Sequence, residues 1–196
     1  MRVPPGEFLK LNLKVHSILS GVPLHDVSAV DLPMGGAGRT ISDVRTLLAA
    51  DKTMSANPAT RFLFKLRFAL GKVFGWDSDS HLLQQASYIH KLTDDVTKAS
   101  VVQPGTLEEP FRVLYVLEKE SLAEVQNATV HAFICAALIP APKGYRLYWA
   151  VYVIPVSRLS FVYLGIIEPF RRFIVYPDIF RRIRKAWEHR YGNPAR

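Results

Sequence analysis

The sequence predicts an α+β domain in which a curved antiparallel sheet packs on a long C-terminal helix and two shorter helices. Two observations carry that class. From Phe111 onward β-forming runs follow one another with only short breaks, so strands cluster together and do not alternate with helices. The segments on either side, before Gly75 and after Pro169, instead repeat their apolar residues at three- and four-residue spacing.

Taken in order, the first element is a strand. Val22 to Met34 contains Leu24-His25-Asp26-Val27-Ser28-Ala29-Val30-Asp31-Leu32, a partly alternating run that ends at the glycine-rich Gly35-Gly36-Ala37-Gly38. Thr40 or Ser42 then caps a short helix running to Leu48. Asn57-Pro58 starts a second, because proline suits a first helical turn; Phe62, Leu66, Ala69, Leu70 and Val73 form its apolar stripe, ending near Gly75. Loops are expected at Asp77-Ser78-Asp79-Ser80 and Gln103-Pro104-Gly105-Thr106.

The β-rich half begins at Phe111 to Leu117 and continues with Thr129 to Ile139 and Tyr145 to Val156. Pro140-Ala141-Pro142-Lys143-Gly144 joins the last two as a hairpin loop, since prolines remove ladder donors. Glu118, Glu120 and Glu124 are expected in an exposed charged turn between strands, with Glu124 the exception because its neighbours are apolar. After Pro169, the residues Phe170, Phe173, Ile174, Phe180, Ile183 and Trp187 make one helical stripe, which Pro177 kinks or divides.

Composition bounds the classes. With 196 residues and 49% hydrophobic content, the chain can bury a core without disulfides or metal. Residues 1–21 read as an N-terminal extension, 22–190 as a single domain and 191–196 as a tail. The lone Cys135 sits in an apolar run and reads as a small core residue, which suits a reducing cytoplasm. No signal peptide is indicated at the N-terminus. Lys143, Arg146 and Arg158, with Pro140, Pro142 and Pro155, break up the apolar stretch from Ala128 to Phe170, so it reads as strands and not as a membrane helix. The formal net charge of +8 raises nucleic acid or an anionic membrane as a partner. Much of that excess, Arg171, Arg172, Arg181, Arg182, Arg184 and Lys185, repeats along one helix, and a solvated helix face is the favoured reading.

Two stretches, Leu63 to Gly75 and Tyr163 to Arg171, resemble an uncharacterised bacterial family, the domain of unknown function numbered 2867. The resemblance spans roughly Val22 to Trp187. The family pattern Pro-Phe-His stands here as Pro169-Phe170-Arg171, and where the family carries an acidic pair followed by a histidine this chain has Glu120, Glu124 and Asn127, with His131 displaced along the strand. The resemblance implies a helix-grip fold of the lipid-transfer and birch-pollen-allergen type, with an apolar cavity between sheet and C-terminal helix. It also implies an occasional partnership with a separate dehydrogenase-like domain.

Candidate site residues follow from the strands. Tyr148 and Tyr152 share one face of their strand, and Tyr145 and Trp149 the other, so one pair at most faces a given cavity. Tyr115, His131, Tyr148, Trp149 and Tyr152 are the candidate ligand-lining set, as aromatics join apolar area to a polar tip. His131 and Glu124 are the candidate acid–base pair. No metal site is expected, because the histidines show no paired ligand spacing and Cys135 has no partner. No cofactor is expected either: Gly35-Gly36-Ala37-Gly38 lacks the spacing of a dinucleotide or phosphate loop and reads as a turn. Asn127-Ala128-Thr129 matches a glycosylation acceptor, discounted without a secretory signal. The leading expectation is a small apolar molecule or lipid in a cavity. A cyclase, dehydratase or isomerase using His131 and a glutamate is the alternative, and a basic surface module the third reading.

Overall fold

The computed structural model describes residues 1–50, 87–126, 130–155, 165 and 168–192. The expected helix from Asn57 to Gly75, the loop at 77–80 and the Asn127-Ala128-Thr129 acceptor lie outside them. One open, curved antiparallel sheet holds β1 (Leu24–Pro33), β2 (Leu107–Glu108), β3 (Phe111–Val116), β4 (Glu120–Gln126), β5 (Val130–Ala141) and β6 (Gly144–Pro155). Its spatial order is β1-β6-β5-β4-β3-β2, so the first and last strands are neighbours and the rest form a meander. The described helices include α1 (Pro5–Leu9), α2 (Val15–Ile18), α3 (Ile41–Ala50), α4 (Asp94–Ala99) and α5 (Tyr176–Tyr191), with a short 3-10 turn at Tyr88–Lys91. No helix among the described residues is long and apolar enough to cross a membrane.

The β5–β6 hairpin is the spine, paired from Val130 opposite Pro155 to Ala141 opposite Gly144. Its turn is tighter than expected, because Pro140 and Ala141 pair with Tyr145 and Gly144 and leave only Pro142 and Lys143 to reverse the chain. Gly144 permits this. Its φ is +140°, and a Cβ there would stand 2.4 Å from the Leu32 carbonyl oxygen.

Period-two alternation divides the sheet into two covered faces. On one, Val27, Ala29, Leu122, Phe133, Cys135, Ala150 and Tyr152 meet Phe8, Leu13, Val15 and Leu19 from the N-terminal segment, together with Val96 of α4. Residues 1–21 therefore pack into the core. On the other, Leu32, Val113, Ala136, Leu138 and Leu147 meet Ile41 and Val44 of α3 and Phe180, Ile183 and Trp187 of α5. Each fully buried large side chain contributes about 1.5–3 kcal/mol. A bulge between Val113 and Tyr115 shifts the β3 register, so Leu114 and Tyr115 both join the first cluster while Val113 and Val116 join the second.

Two expectations are corrected. The exposed charged turn is only Leu117 to Lys119; Glu120 belongs to β4 and is 4% exposed, while Glu124, the expected exception, is 3% exposed on the same strand. Their carboxylates tolerate burial because each accepts several hydrogen bonds. The C-terminal stripe is also shorter than predicted. Phe180, Ile183 and Trp187 are buried, but Phe173 and Ile174 are 70% and 40% exposed. Pro177 explains the change, since it has no N–H for the carbonyl four residues back. The preceding turn, Arg171–Val175, widens to a π-helix in which the Tyr176 N–H donates to the Arg171 carbonyl. That turn rotates Phe173 and Ile174 off the buried stripe without dividing the helix.

Candidate cleft between the first strand and the C-terminal helix

On the α5 side of the sheet a cleft of about 720 Å³ opens between β1, the start of the chain and the helical segment from Glu168 to Glu188. Its wall on β1 is Asp26, Ser28 and Val30, which share the sheet face that carries Leu32. Phe173, Tyr176, Pro177 and Phe180 form its apolar wall on the helix side. Gly35 anchors the far end of α5: the Trp187 ring packs so close that a Cβ at Gly35 would stand 2.7 Å from it, and Trp187 Nε1 donates to the Pro33 carbonyl at 3.0 Å.

The inner end of the cleft carries a polar network. Arg171 Nη2 donates to Asp26 Oδ2 at 2.8 Å and to the Tyr176 hydroxyl, and Arg171 Nη1 stands 3.6 Å from Glu168 Oε2. Glu168 Oε2 is also 3.0 Å from His25 Nε2. His25, Asp26 and Glu168 each bring one potential metal-ligand atom within 4.8 Å of the others, yet the Arg171 guanidinium already supplies their positive charge. Burial raises the Asp26 pKa, against the pull of Arg171. For Arg171 burial opposes the charged form, but Tyr176, Asp26 and Glu168 outweigh it and the pKa rises. Asp26 Oδ1 has no hydrogen-bond partner among the described residues.

Sequence reading did not find this network, for a local reason. Consecutive strand residues point to opposite faces, but the β1 register shifts between Leu24 and Asp26, and this irregularity brings His25 and Asp26 to the same carboxylate. Arg171 and Glu168 arrive from the far end of the chain. The Pro169-Phe170-Arg171 motif was the available signal.

The residues singled out from sequence lie elsewhere. Tyr115, His131, Tyr148 and Tyr152 are buried on the opposite face, and Trp149 points to the helix side; none of the five lines the cleft. Tyr115 donates to Glu120 Oε2 at 3.0 Å, and the same carboxylate receives the Lys14 and Val15 N–H groups at the start of α2. Tyr148 donates to Glu7 of α1 at 2.7 Å. The Tyr152 hydroxyl is buried without a partner among the described residues. The expected split of Tyr148 and Tyr152 from Tyr145 and Trp149 is observed.

His131 and Glu124 do meet. His131 Nε2 lies 2.9 Å from Glu124 Oε2, and Glu124 also accepts from the Ser87 hydroxyl at 2.5 Å and the Tyr88 N–H at 3.1 Å. Burial pushes the Glu124 carboxyl up, but the hydrogen bonds from His131, Ser87 and Tyr88 prevail and lower its pKa. An ionised carboxylate only accepts, so Nε2 carries the proton and Nδ1 faces the Gln126 amide at 3.4 Å. Tyr88 and Phe133 close over the imidazole, with ring centroids 5.3 and 4.3 Å from it. The glycine turn is likewise internally satisfied, as Tyr145 donates to the Gly36 carbonyl at 2.9 Å and accepts from the Arg39 N–H at 3.1 Å.

Fold and cleft thus define an α+β domain with one helix laid across the edge of an open sheet. Residues 18–178 match the family described as Protein of unknown function (DUF2867), and the chain belongs to it. No curated protein matches the chain.

Proposed function

We propose that this domain binds a small, largely apolar organic molecule in the cleft between β1 and α5. The observation that carries the reading is the cleft itself, whose about 720 Å³ falls within the range typical of small-molecule sites. Val30, Phe173, Tyr176 and Phe180 offer it apolar and aromatic wall. Two features support a helix-grip relationship: β1 lies beside the last strand, and a long helix follows that strand onto the sheet. A separate dehydrogenase-like domain, as the family resemblance implies, would be a source or acceptor of such a molecule.

The test uses an uncharged fluorescent probe, N-phenylnaphthylamine, titrated into the wild-type chain and into Val30→Trp, which fills the cleft from β1. Saturable binding at one site per chain, lost in the variant while its circular dichroism is retained, is the expected result. Binding that the substitution leaves intact would move the site elsewhere, and no saturable binding would remove the reading.

A further inference from the structure

Charge around the cleft is unevenly committed. Arg2, Arg172, Arg181, Arg184 and Lys185 are its basic lining residues. Its acids are Asp26, Glu168 and Glu188, and each already has a cation: Arg171 holds Asp26 and approaches Glu168, and Arg184 Nε meets Glu188 Oε1 at 2.8 Å. Arg181 is bound to Asp178 at 2.5 Å. That leaves Arg2, Arg172 and Lys185 without an ion pair among the described residues, all beside one concavity.

Arg172 and Lys185 line the cleft from opposite ends of the same helical segment, and Phe173 stands exposed beside Arg172, whose guanidinium lies 5.3 Å from its ring. An apolar wall ending in unmatched cations fits a molecule that joins a hydrocarbon body to an anionic head. A neutral hydrocarbon would leave these cations unused, and a cationic head would face them beside acids that already hold cations of their own. The overall charge of +8 adds attraction for the same sign of ligand.

We infer that the ligand is an anionic amphiphile, its body against Val30, Phe173 and Phe180 and its carboxylate, sulfate or phosphate head drawn to the basic rim to which Arg2, Arg172 and Lys185 contribute. The inference rests on the binding reading above and adds the ligand's chemical class. A free fatty-acid-like anion and the headgroup of a bilayer lipid share this chemistry, and the experiment separates them.

Isothermal titration calorimetry with decanoate and decyl phosphate, each below its micelle concentration, is compared with uncharged decanol. The variant is the double substitution Arg172→Glu with Lys185→Glu, at two exposed positions with no ion pair to break among the described residues. The anions should bind at least tenfold more tightly than decanol, weaken with added salt, and lose at least tenfold affinity in the variant, while decanol is unchanged. Equal affinity for anions and decanol, indifferent to the variant, overturns the anionic class and leaves the cleft-binding reading standing. Failure of every probe, charged or not, brings down both. Binding to phosphatidylglycerol vesicles but not phosphatidylcholine ones, with no affinity for the monomeric anions, would replace an enclosed ligand with a membrane surface.

Discussion

The two faces of this sheet are covered in different ways. On the face that meets the N-terminal segment, polar side chains among the aromatics are tied into the fold: Glu120 receives α2, Glu124 receives the Ser87–Tyr88 turn, and Tyr148 is bound by Glu7. On the other face the C-terminal helical segment is held at one end by Trp187 and at the other by Arg171, and between it and β1 a cleft opens. The difference teaches that a buried histidine–carboxylate pair and a space for a ligand are separate things here. Hydrogen-bonded polarity marks where the chain is fastened, and unmatched charge beside exposed aromatics marks where it is open.

Phe133, on the closed face, carries the largest expected effect. It is fully buried, with its ring 4.6 Å from Tyr88 and 4.3 Å from His131. Phe133→Ala should cost about 3–5 kcal/mol in urea unfolding, as large aromatic-to-alanine changes in cores do. The remaining folded chain should bind the uncharged probe with unchanged affinity. A loss of probe binding without loss of stability would place a ligand on this face instead.

What the sequence disclosed followed local pattern. Period two placed Tyr148 with Tyr152 and Tyr145 with Trp149, and the apolar surroundings of Glu124 signalled its burial. Glu120 was misjudged because Lys119 beside it suggests a turn, and nothing nearby reveals that the Lys14 and Val15 N–H groups from residues far upstream need its carboxylate. Phe173 was misjudged because an ideal 3.6-residue wheel does not anticipate the π turn that Pro177 imposes. The cleft was illegible for a third reason. His25 and Asp26 come together through a strand irregularity, and Glu168 and Arg171 reach them from more than a hundred residues away.

The two β4 carboxylates offer a contrast of intermediate size. The Glu124 pKa is lowered, so its charge contributes stability above the unfolded value of 4.5 that is lost as pH falls through the lower folded value. The Glu120 pKa is raised, with burial outweighing its hydrogen bonds. Its folded form holds the proton more tightly, so its charge costs stability as pH rises from 4.5 through the folded value. Glu124→Gln should therefore cost about 2 kcal/mol at neutral pH and less in acid, while Glu120→Gln should cost under about 1 kcal/mol at neutral pH and more in acid. Urea unfolding across this range checks both. Parallel pH trends for the two variants would show that their environments are alike, against the geometry.

The smallest stability effect belongs to the open side. Phe173 is 70% exposed on the π turn, so removing its ring deletes little buried area. Phe173→Ala should change unfolding stability by less than about 0.5 kcal/mol, as surface substitutions away from special features do. Yet the ring lines the cleft, so the same variant should bind the uncharged probe several-fold more weakly. This pairing of unchanged stability with weakened binding is the reverse of the pattern expected at Phe133. A stability loss like that of Phe133→Ala would mean that Phe173 is packed against something in solution and that the cleft is closed there. Unchanged stability with unchanged binding would move the apolar contact deeper, toward Val30 and Phe180, and leave Phe173 outside the ligand's reach.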